Sequence, residues 1–387
     1  MDSEALIERA IELGPTLRAR AQGGAAARRL PAETIADFHE AGFFRVLQPR
    51  RFGGLECSPQ VLFDLQMAIG AVCPSSAWVL GVVAVHSWQL ALFDERAQQD
   101  VWGEDTGVLI SSSYMPVGRV ERVEGGFRLS GRWGYSSGSE YCDWAFLGAF
   151  IPVESGPPDM RTFLVPKTDY HIEDTWHVSG LKATGSHDVV VDDVFVPEYR
   201  THKLIDGYRC KNPGNEQNRG PVYRLPFGQV FVRSVSTTII GICQGMLDAY
   251  TQTIRDRISR ASGKKAIEDP IAQKVCSETA ATIDECRLVL RRNFQEMMAA
   301  AEAGDAISIE DRIRYRYDSS RTVERCLAQV DAMFTAAAGS AIRLDSPLNG
   351  YFQDAHAARA HHANNPAGPA ANFGRSQMGL KNTDFFI

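Results

Sequence analysis

Apolar positions from residue 2 to about 103 recur at intervals of three and four, the period of one face of a helix. Pro31 opens one such helix, in which Ile35 and Phe38 share a face, and Gly42 closes it. Ser58 followed by Pro59 supplies an N-cap and a first turn for another, with Leu62, Leu65, Gln66 and Ile69 along its inner stripe; Asp94 is a further N-cap. Between about 107 and 200 the pattern changes to short alternating or β-branched runs, "VLISSS", "GRVERV", "FRLSGRWG", "DWAFLGAFI", "RTFLVP" and "HDVVVDDVFVP". "EGG" at 124–126 stands between two of them as a hairpin turn should. A loop rich in Gly, Asn and Pro, "DGYRCKNPGNEQNRGP", leads out of this region. Helical periodicity returns in four long stretches, 228–260, 270–303, 309–341 and 347–362. In the second, Cys276, Ala280, Ile283, Cys286, Leu290, Phe294 and Met297 form a seam. Long amphipathic helices with short connections predict an up-and-down bundle. The expected fold is α+β in four parts: an N-terminal helical domain over 1–105, a central antiparallel β domain over 106–205, a linker loop over 206–227 and a C-terminal four-helix bundle over 228–387.

Composition narrows the partners. The 387 residues are 44 % hydrophobic and 23 % charged, as in an ordinary globular chain. A net charge of −6 gives no field to attract nucleic acid or an anionic membrane. The apolar run "SAWVLGVVAVHSWQLALF" is broken by His86, Ser87 and Gln89, so the apolar runs read as too short to cross a bilayer. No signal-peptide pattern opens the chain. A cytoplasmic protein that meets a small molecule or another protein is expected. Eight cysteines without a CxxC pair read as free thiols, mostly buried.

Absent motifs exclude some chemistry. There is no GxGxxG after a strand and no P-loop, so a nicotinamide dinucleotide is not expected to dock here. A di-iron site in a bundle needs inward Glu-x-x-His pairs; the nearest spacing, Asp174 to His177, falls in the β region. His356 and His361 are five apart and turn to different helix faces, while adjacent His361 and His362 point about 100° apart on a helix. No metal site is expected. The densest local signal is "LSGRWGYSSGSEYCDW", 129–144, where Trp133 and Tyr135 offer flat aromatic surface, and Ser136, Ser137 and Gly138 offer hydroxyl and backbone donors. Those residues suit a planar heteroaromatic ring, and equally suit an exposed strand with aromatic cross-strand packing. His86, inside an apolar helix, reads as a core residue bonded to a carbonyl or as an acid/base group. The hydroxyls of "ISSSYMP", 110–116, read as a turn-forming cluster or as substrate contacts.

Four segments in order, "GFFRVLQPRRFGG" (42–54), "GRWGYSSG" (131–138), "GLKATGSHDVVVDDVFVP" (180–197) and "DAHAARAHHAN" (354–364), resemble the acyl-CoA dehydrogenase fold. The resemblance runs over about residues 20 to 380 and matches the helical, β and helical layout. Within that superfamily, "VAVHSWQLALF", "QDVWGE", "ISSSY" and "WGYSSG" are similar to the oxygenase components of two-component flavin-dependent monooxygenases, including those acting on 3-hydroxy-seco-steroids and on 4-hydroxyphenylacetate. The dehydrogenases place a glutamate base at or next to the position of His362, and its absence here removes acyl-CoA desaturation.

The resemblance implies reduced FMN or FAD as cofactor, a separate NAD(P)H flavin reductase, O2 and a small aromatic substrate, and a homotetramer or homodimer. It implies transfer of oxygen from a flavin C4a-hydroperoxide to a phenolic or polycyclic ring. It assigns His86 as the base beside the substrate hydroxyl, with Ser112 as a substrate contact. Ser137 takes the flavin N5 contact, with Gly138 and Ser113 on the cofactor side, Tyr135 along the ring and Arg233 at a flavin phosphate. His361 or His362 faces the flavin's reactive edge. Lys182 stands where the family often has arginine, and Tyr135 where dehydrogenases have tryptophan. The 206–222 loop is expected to border the substrate entrance. Oxygenation of a ring-containing acyl-CoA ester or an aromatic polyketide is the nearest alternative, and a catalytically silent flavin-binding homologue the next.

Overall fold

The computed structural model describes residues 3–153, 155–156, 158–255, 263 and 265–387. The N-terminal helices are α1 (Ser3–Ala27), α2 (Ala32–Glu40), α3 (Pro59–Gly70), α4 (Pro74–Leu90) and α5 (Glu95–Trp102). Their sequence signals act as read: Gly42 takes φ 74° after α2, the Ser58 side chain accepts from Gln60 N, and Asp94 accepts from Arg96 N. α4 is buried around nearly its whole circumference, as an apolar helix with no polar face must be. Gly81 lets it sit close to its neighbours, since a Cβ there would fall 1.7 Å from Gln66 Nε2. The buried Gln66 amide donates to Ser234 O at 2.7 Å and Thr238 Oγ1 at 3.1 Å, tying the N-terminal helices to the bundle.

The sheet has the order β5-β6-β2-β1-β3-β4-β7. Its strands are β1 (Ile110–Val123), β2 (Gly126–Ser136), β3 (Trp144–Ile151), β4 (Asp159–Pro166), β5 (His171–Glu173), β6 (His187–Pro197) and β7 (Thr201–Lys203). The expectation of an all-antiparallel domain is corrected at one pairing, because β1 and β3 run parallel. β2 hairpins back along one edge of β1 and pairs on its far side with β6; the short connection after β2 therefore carries the chain to the free edge of β1, in β1's direction. The runs "VLISSS" and "GRVERV" fuse into the single strand β1, irregular between Ser113 and Gly118, where Pro116 has no amide hydrogen to give.

The bundle comprises α7 (Phe227–Ser236), α8 (Thr238–Arg255), α9 (Pro270–Ala303), α10 (Ile309–Ala337) and α11 (Pro347–Arg359), followed by α12 (Ala367–Gln377). The first expected helix is divided between α7 and α8, joined at Thr237 with helical backbone; its last positions, 256–260, lie outside the described residues. Phe227–Arg255 is long and apolar enough by composition to cross a membrane, unlike the expectation from shorter runs, but 89 % of that window is buried within the fold. The segment expected as a linker is instead folded against the helices. It takes in the later part of α6 (Leu204–Arg209), Trp88 Nε1 donates to Val222 O at 2.7 Å, Tyr223 OH donates to Leu47 O at 3.1 Å, and Asn218 Nδ2 donates to Ala91 O at 2.8 Å. Its Gly, Asn and Pro residues serve close packing, since a Cβ on Gly214 would lie 2.0 Å from Ala91 O.

Candidate active site

The polar groups of α4 must find partners inside the fold, and His86 is 1 % exposed. Its Nδ1 lies 2.6 Å from the carbonyl oxygen of Ile110, at the start of β1. A carbonyl only accepts, so Nδ1 carries the ring hydrogen and Nε2 keeps its lone pair. That Nε2 is buried without a partner among the described residues. Burial pulls the imidazole pKa from 6.5 to about 4, outweighing the bond to Ile110, so the ring is neutral. Three residues on, Gln89 Oε1 accepts the Tyr114 hydroxyl, while its amide nitrogen is buried and unpartnered. Burial raises the Tyr114 phenol, against the hydrogen bonds of Ser112 and Gln89. The Tyr114 ring lies 6.2 Å from His86.

Strand alternation separates the three serines. Ser112 and Tyr114 share the face toward α4, whereas Ser113 pairs with Leu147, a member of the β-domain core with Trp133 and Phe163. The expected cofactor role of the Ser113 side chain is thereby corrected: its hydroxyl turns into the sheet's own core. Trp133 is corrected likewise. It is fully buried, donates to Gly148 O at 2.8 Å and lies against Gly118 and Gly131, so it offers no open aromatic face. Tyr135 does: the register shift between Trp133 and Ser136 and a left-handed φ of 66° turn it outward, 68 % exposed, edge-on to Trp176 at 6.1 Å.

The turn after β2 builds a directed chain of hydroxyls. Trp78 Nε1 donates to Ser137 Oγ at 3.1 Å. Ser137 and Ser186 lie 2.7 Å apart, as do Ser186 and Thr184, and Thr184 donates to Leu181 O at 2.9 Å. With Thr184 donating to a carbonyl, Ser186 donates to Thr184 and Ser137 to Ser186. Gly138 follows at φ 69°, and its amide donates to Thr184 O at 2.9 Å. A cleft of about 510 Å³, lined by Arg28, Arg29, Glu140, Lys167, Asp174 and His187, opens next to Ser186. Its charges are largely matched within it, since Arg28 pairs with Asp174 and Arg29 with Glu140.

The histidine pair is not on a helix as expected. α11 ends at Arg359, and the Asn364 amide donates to Ala358 O at 2.8 Å and Val235 O at 3.2 Å, holding the chain in a separate short turn. His361 therefore has extended backbone, with φ −61° and ψ 134°. Its Nδ1 accepts from Ala363 N at 3.2 Å, which leaves the ring hydrogen on Nε2. The His361 ring meets Trp78 edge-on at 5.8 Å and lies 6.4 Å from Phe231. Burial, then the charges of His362 and Arg316, lower its pKa to about 4. His362 is exposed.

Arg233 departs from its expected place. It is 2 % exposed in the bundle, 3.4 Å from Thr322 Oγ1, with its pKa lowered to about 10 by burial. It stands with α10 rather than on the cleft. Trp78, Gln89, Tyr114, Ser186 and Phe231 were not singled out from the sequence; the period-two alternation from Ser112 was the available signal for Tyr114.

The C-terminal region, residues 234–366, matches the family model for the acyl-CoA dehydrogenase C-terminal domain. The chain is 38 % identical to the flavin-dependent monooxygenase oxygenase subunit HsaA of Rhodococcus jostii, over 98 % of this chain and all of that protein. It is 33 % identical to the oxygenase component of an FADH2-dependent resorcinol hydroxylase of Rhizobium sp., over 97 % of this chain and 94 % of that one. The crystal structure of 3-HSA hydroxylase from Rhodococcus sp. RHA1 superimposes with a TM-score of 0.95, at 38 % identity and full coverage of both chains. Fold and site define an acyl-CoA dehydrogenase-like flavoprotein. The chain belongs to the flavin-dependent monooxygenases of that fold, as an oxygenase component that works with reduced flavin.

Proposed function

We propose that this chain hydroxylates a phenolic ring, using FADH2 reduced by a separate NAD(P)H-dependent reductase. The observation that carries the reading is two neutral histidines in opposite tautomers, fully buried His86 presenting a lone pair and partly buried His361 a hydrogen. Reduced flavin, when bound, supplies the electrons that activate O2. FAD is preferred over FMN because the resorcinol hydroxylase relative is FADH2-dependent.

His86 Nε2 accepts the hydrogen of the substrate hydroxyl. A free phenol has a pKa near ~10, so this bond is what makes the ring electron-rich at neutral pH. Ser112 and the unpartnered Gln89 amide orient the same hydroxyl. Ser137 already donates to Ser186 and accepts from Trp78, so its second lone pair would be left to receive the N5 hydrogen of a reduced flavin. Exposed Tyr135 would lie along that ring, and Gly138, at φ 69°, would let it approach the turn. His361 would offer its Nε2 hydrogen to the oxygen-reactive edge of a bound flavin, where the rings of Phe231 and Trp78 would keep water away. The test is to mix the protein anaerobically with FADH2 and a phenol, add isotopically labelled O2, and assay the product. Label in a new ring hydroxyl supports the reading; complete conversion of O2 to hydrogen peroxide with every phenol refutes it.

A further inference from the structure

The segment 382–387 forms no helix or strand, yet Ile387 is fully buried and Phe386 half-buried. It is tied down by a few side chains. Asn372 Nδ2 donates to Asn382 Oδ1 at 2.8 Å, and Asn372 Oδ1 accepts from Thr383 N at 3.0 Å. Asp384 Oδ1 accepts from Phe386 N at 2.7 Å, while its other oxygen stands 4.0 Å from Arg316 Nε. The strap crosses the first turn of α7 at Gly228, where a Cβ would fall 2.3 Å from Phe386 O. A glycine is required there for the strap to lie down.

This crossing delivers one ring to a particular place. Phe386 meets Phe227 edge-on at 5.8 Å and Phe231 at 5.7 Å. Phe231 in turn contacts Tyr114 at 4.8 Å and faces His361 at 6.4 Å. Phe386 is thus one ring removed from His361 and from Tyr114, the ring that meets His86. It differs from Phe227 and Phe231 in its support: they project from a helix, whereas Phe386 hangs on a strap fixed by side-chain bonds. Building on the function proposed above, we propose that Phe386 is the specificity-determining wall of the substrate pocket, setting the largest phenol that fits between Tyr114 and His361.

The test measures equilibrium binding of two phenols, resorcinol and a polycyclic phenol, to the flavin-free full chain, read by fluorescence of Trp88, which stacks on Phe227 at 6.1 Å. Phe386→Ala is expected to shift the ratio of dissociation constants about tenfold in favour of the polycyclic phenol, and Phe386→Trp to shift it the other way. Circular dichroism checks that both variants fold. A third variant, Phe385→Ala, alters the neighbouring ring, which is 64 % exposed and faces Tyr208, and should leave the ratio unchanged. An unchanged ratio in the two folded Phe386 variants, or an equal shift in Phe385→Ala, overturns the inference. So does a wild-type chain that binds neither phenol. Because the readout is binding, a chain that binds phenols and hydroxylates none would refute the proposed function and leave this result standing on its own.

Discussion

His86 and His361 are locked in opposite tautomers by two backbone groups: a carbonyl takes the Nδ1 hydrogen of His86, and an amide gives its hydrogen to Nδ1 of His361. The same side chain thus presents an acceptor at one end of the aromatic cluster and a donor at the other. Both rings are held neutral by burial, so neither role is lost by protonation at neutral pH.

Loss of the acceptor is expected to abolish ring activation while sparing flavin oxidation. In His86→Asn the side-chain amide still donates to Ile110 O, but no basic nitrogen remains. Hydroxylated product should fall by about 10²-fold or more, with oxygen diverted to hydrogen peroxide. Quantifying product and peroxide per flavin oxidised checks this; full coupling in the variant would remove His86 from the chemistry.

The donor should behave differently. His361→Val removes the Nε2 hydrogen next to Trp78 but leaves the Ser137 chain in place. Hydrogen peroxide released per flavin oxidised should rise several-fold, with the dissociation constant for FADH2 changed by less than about threefold, under 1 kcal/mol. Stopped-flow absorbance and an anaerobic titration read the two quantities. The same substitution at exposed His362 should leave both quantities unchanged.

Ser137→Ala breaks the hydroxyl chain in its middle and leaves the buried Trp78 N–H without its acceptor. An unmet buried donor costs about 1–3 kcal/mol. A lower melting temperature is expected together with roughly tenfold weaker FADH2 binding, equivalent to about 1.4 kcal/mol. Thermal unfolding with and without flavin separates the two, because a purely structural role would lower stability and leave affinity intact.

Periodicity made the architecture legible because burial repeats: the stripes that define α3, α9 and α10 are the positions the core needs, and the caps at Ser58 and Asp94 act locally. The parallel pairing of β3 with β1 was not legible, since a short connection allows either edge and the choice depends on β6 occupying the other side of β2. Tyr135 and Trp133 share a strand face by alternation, and only the register shift between them sends one outward and the other into the core. The directions of the His361 and His362 rings follow from a turn and not from a helix, which ends two residues earlier for reasons held in the Asn364 side chain. Arg233 was assigned by resemblance, and its burial against α10 depends on long-range packing that no local pattern encodes.

Titration gives the last prediction. His86 and His361 have folded pKa values near 4 against 6.5 in the unfolded chain. Between those values the unfolded state binds the protons, so stability is lost as pH falls, by up to about 1.4 kcal/mol per pH unit for each ring. Asp354 opposes them. Its carboxylate is half-buried, accepts from Leu181 N at 2.6 Å and has its pKa raised by desolvation from 3.8 to about 6, so between those values the folded state holds the extra proton and stability falls as pH rises. Near pH 5 one carboxyl therefore offsets about one histidine. Asp354→Asn keeps an oxygen for Leu181 and removes the titration, so proton uptake on unfolding at pH 5 should increase by about one. Melting temperatures of both proteins from pH 4 to 7 give that number from their slopes. Because Asp354 also joins α11 to the turn carrying Thr184 and Ser186, the variant should retain hydroxylation at neutral pH only if Leu181 keeps its partner, and equal slopes in the two proteins would mean that this carboxyl is ionised in the fold.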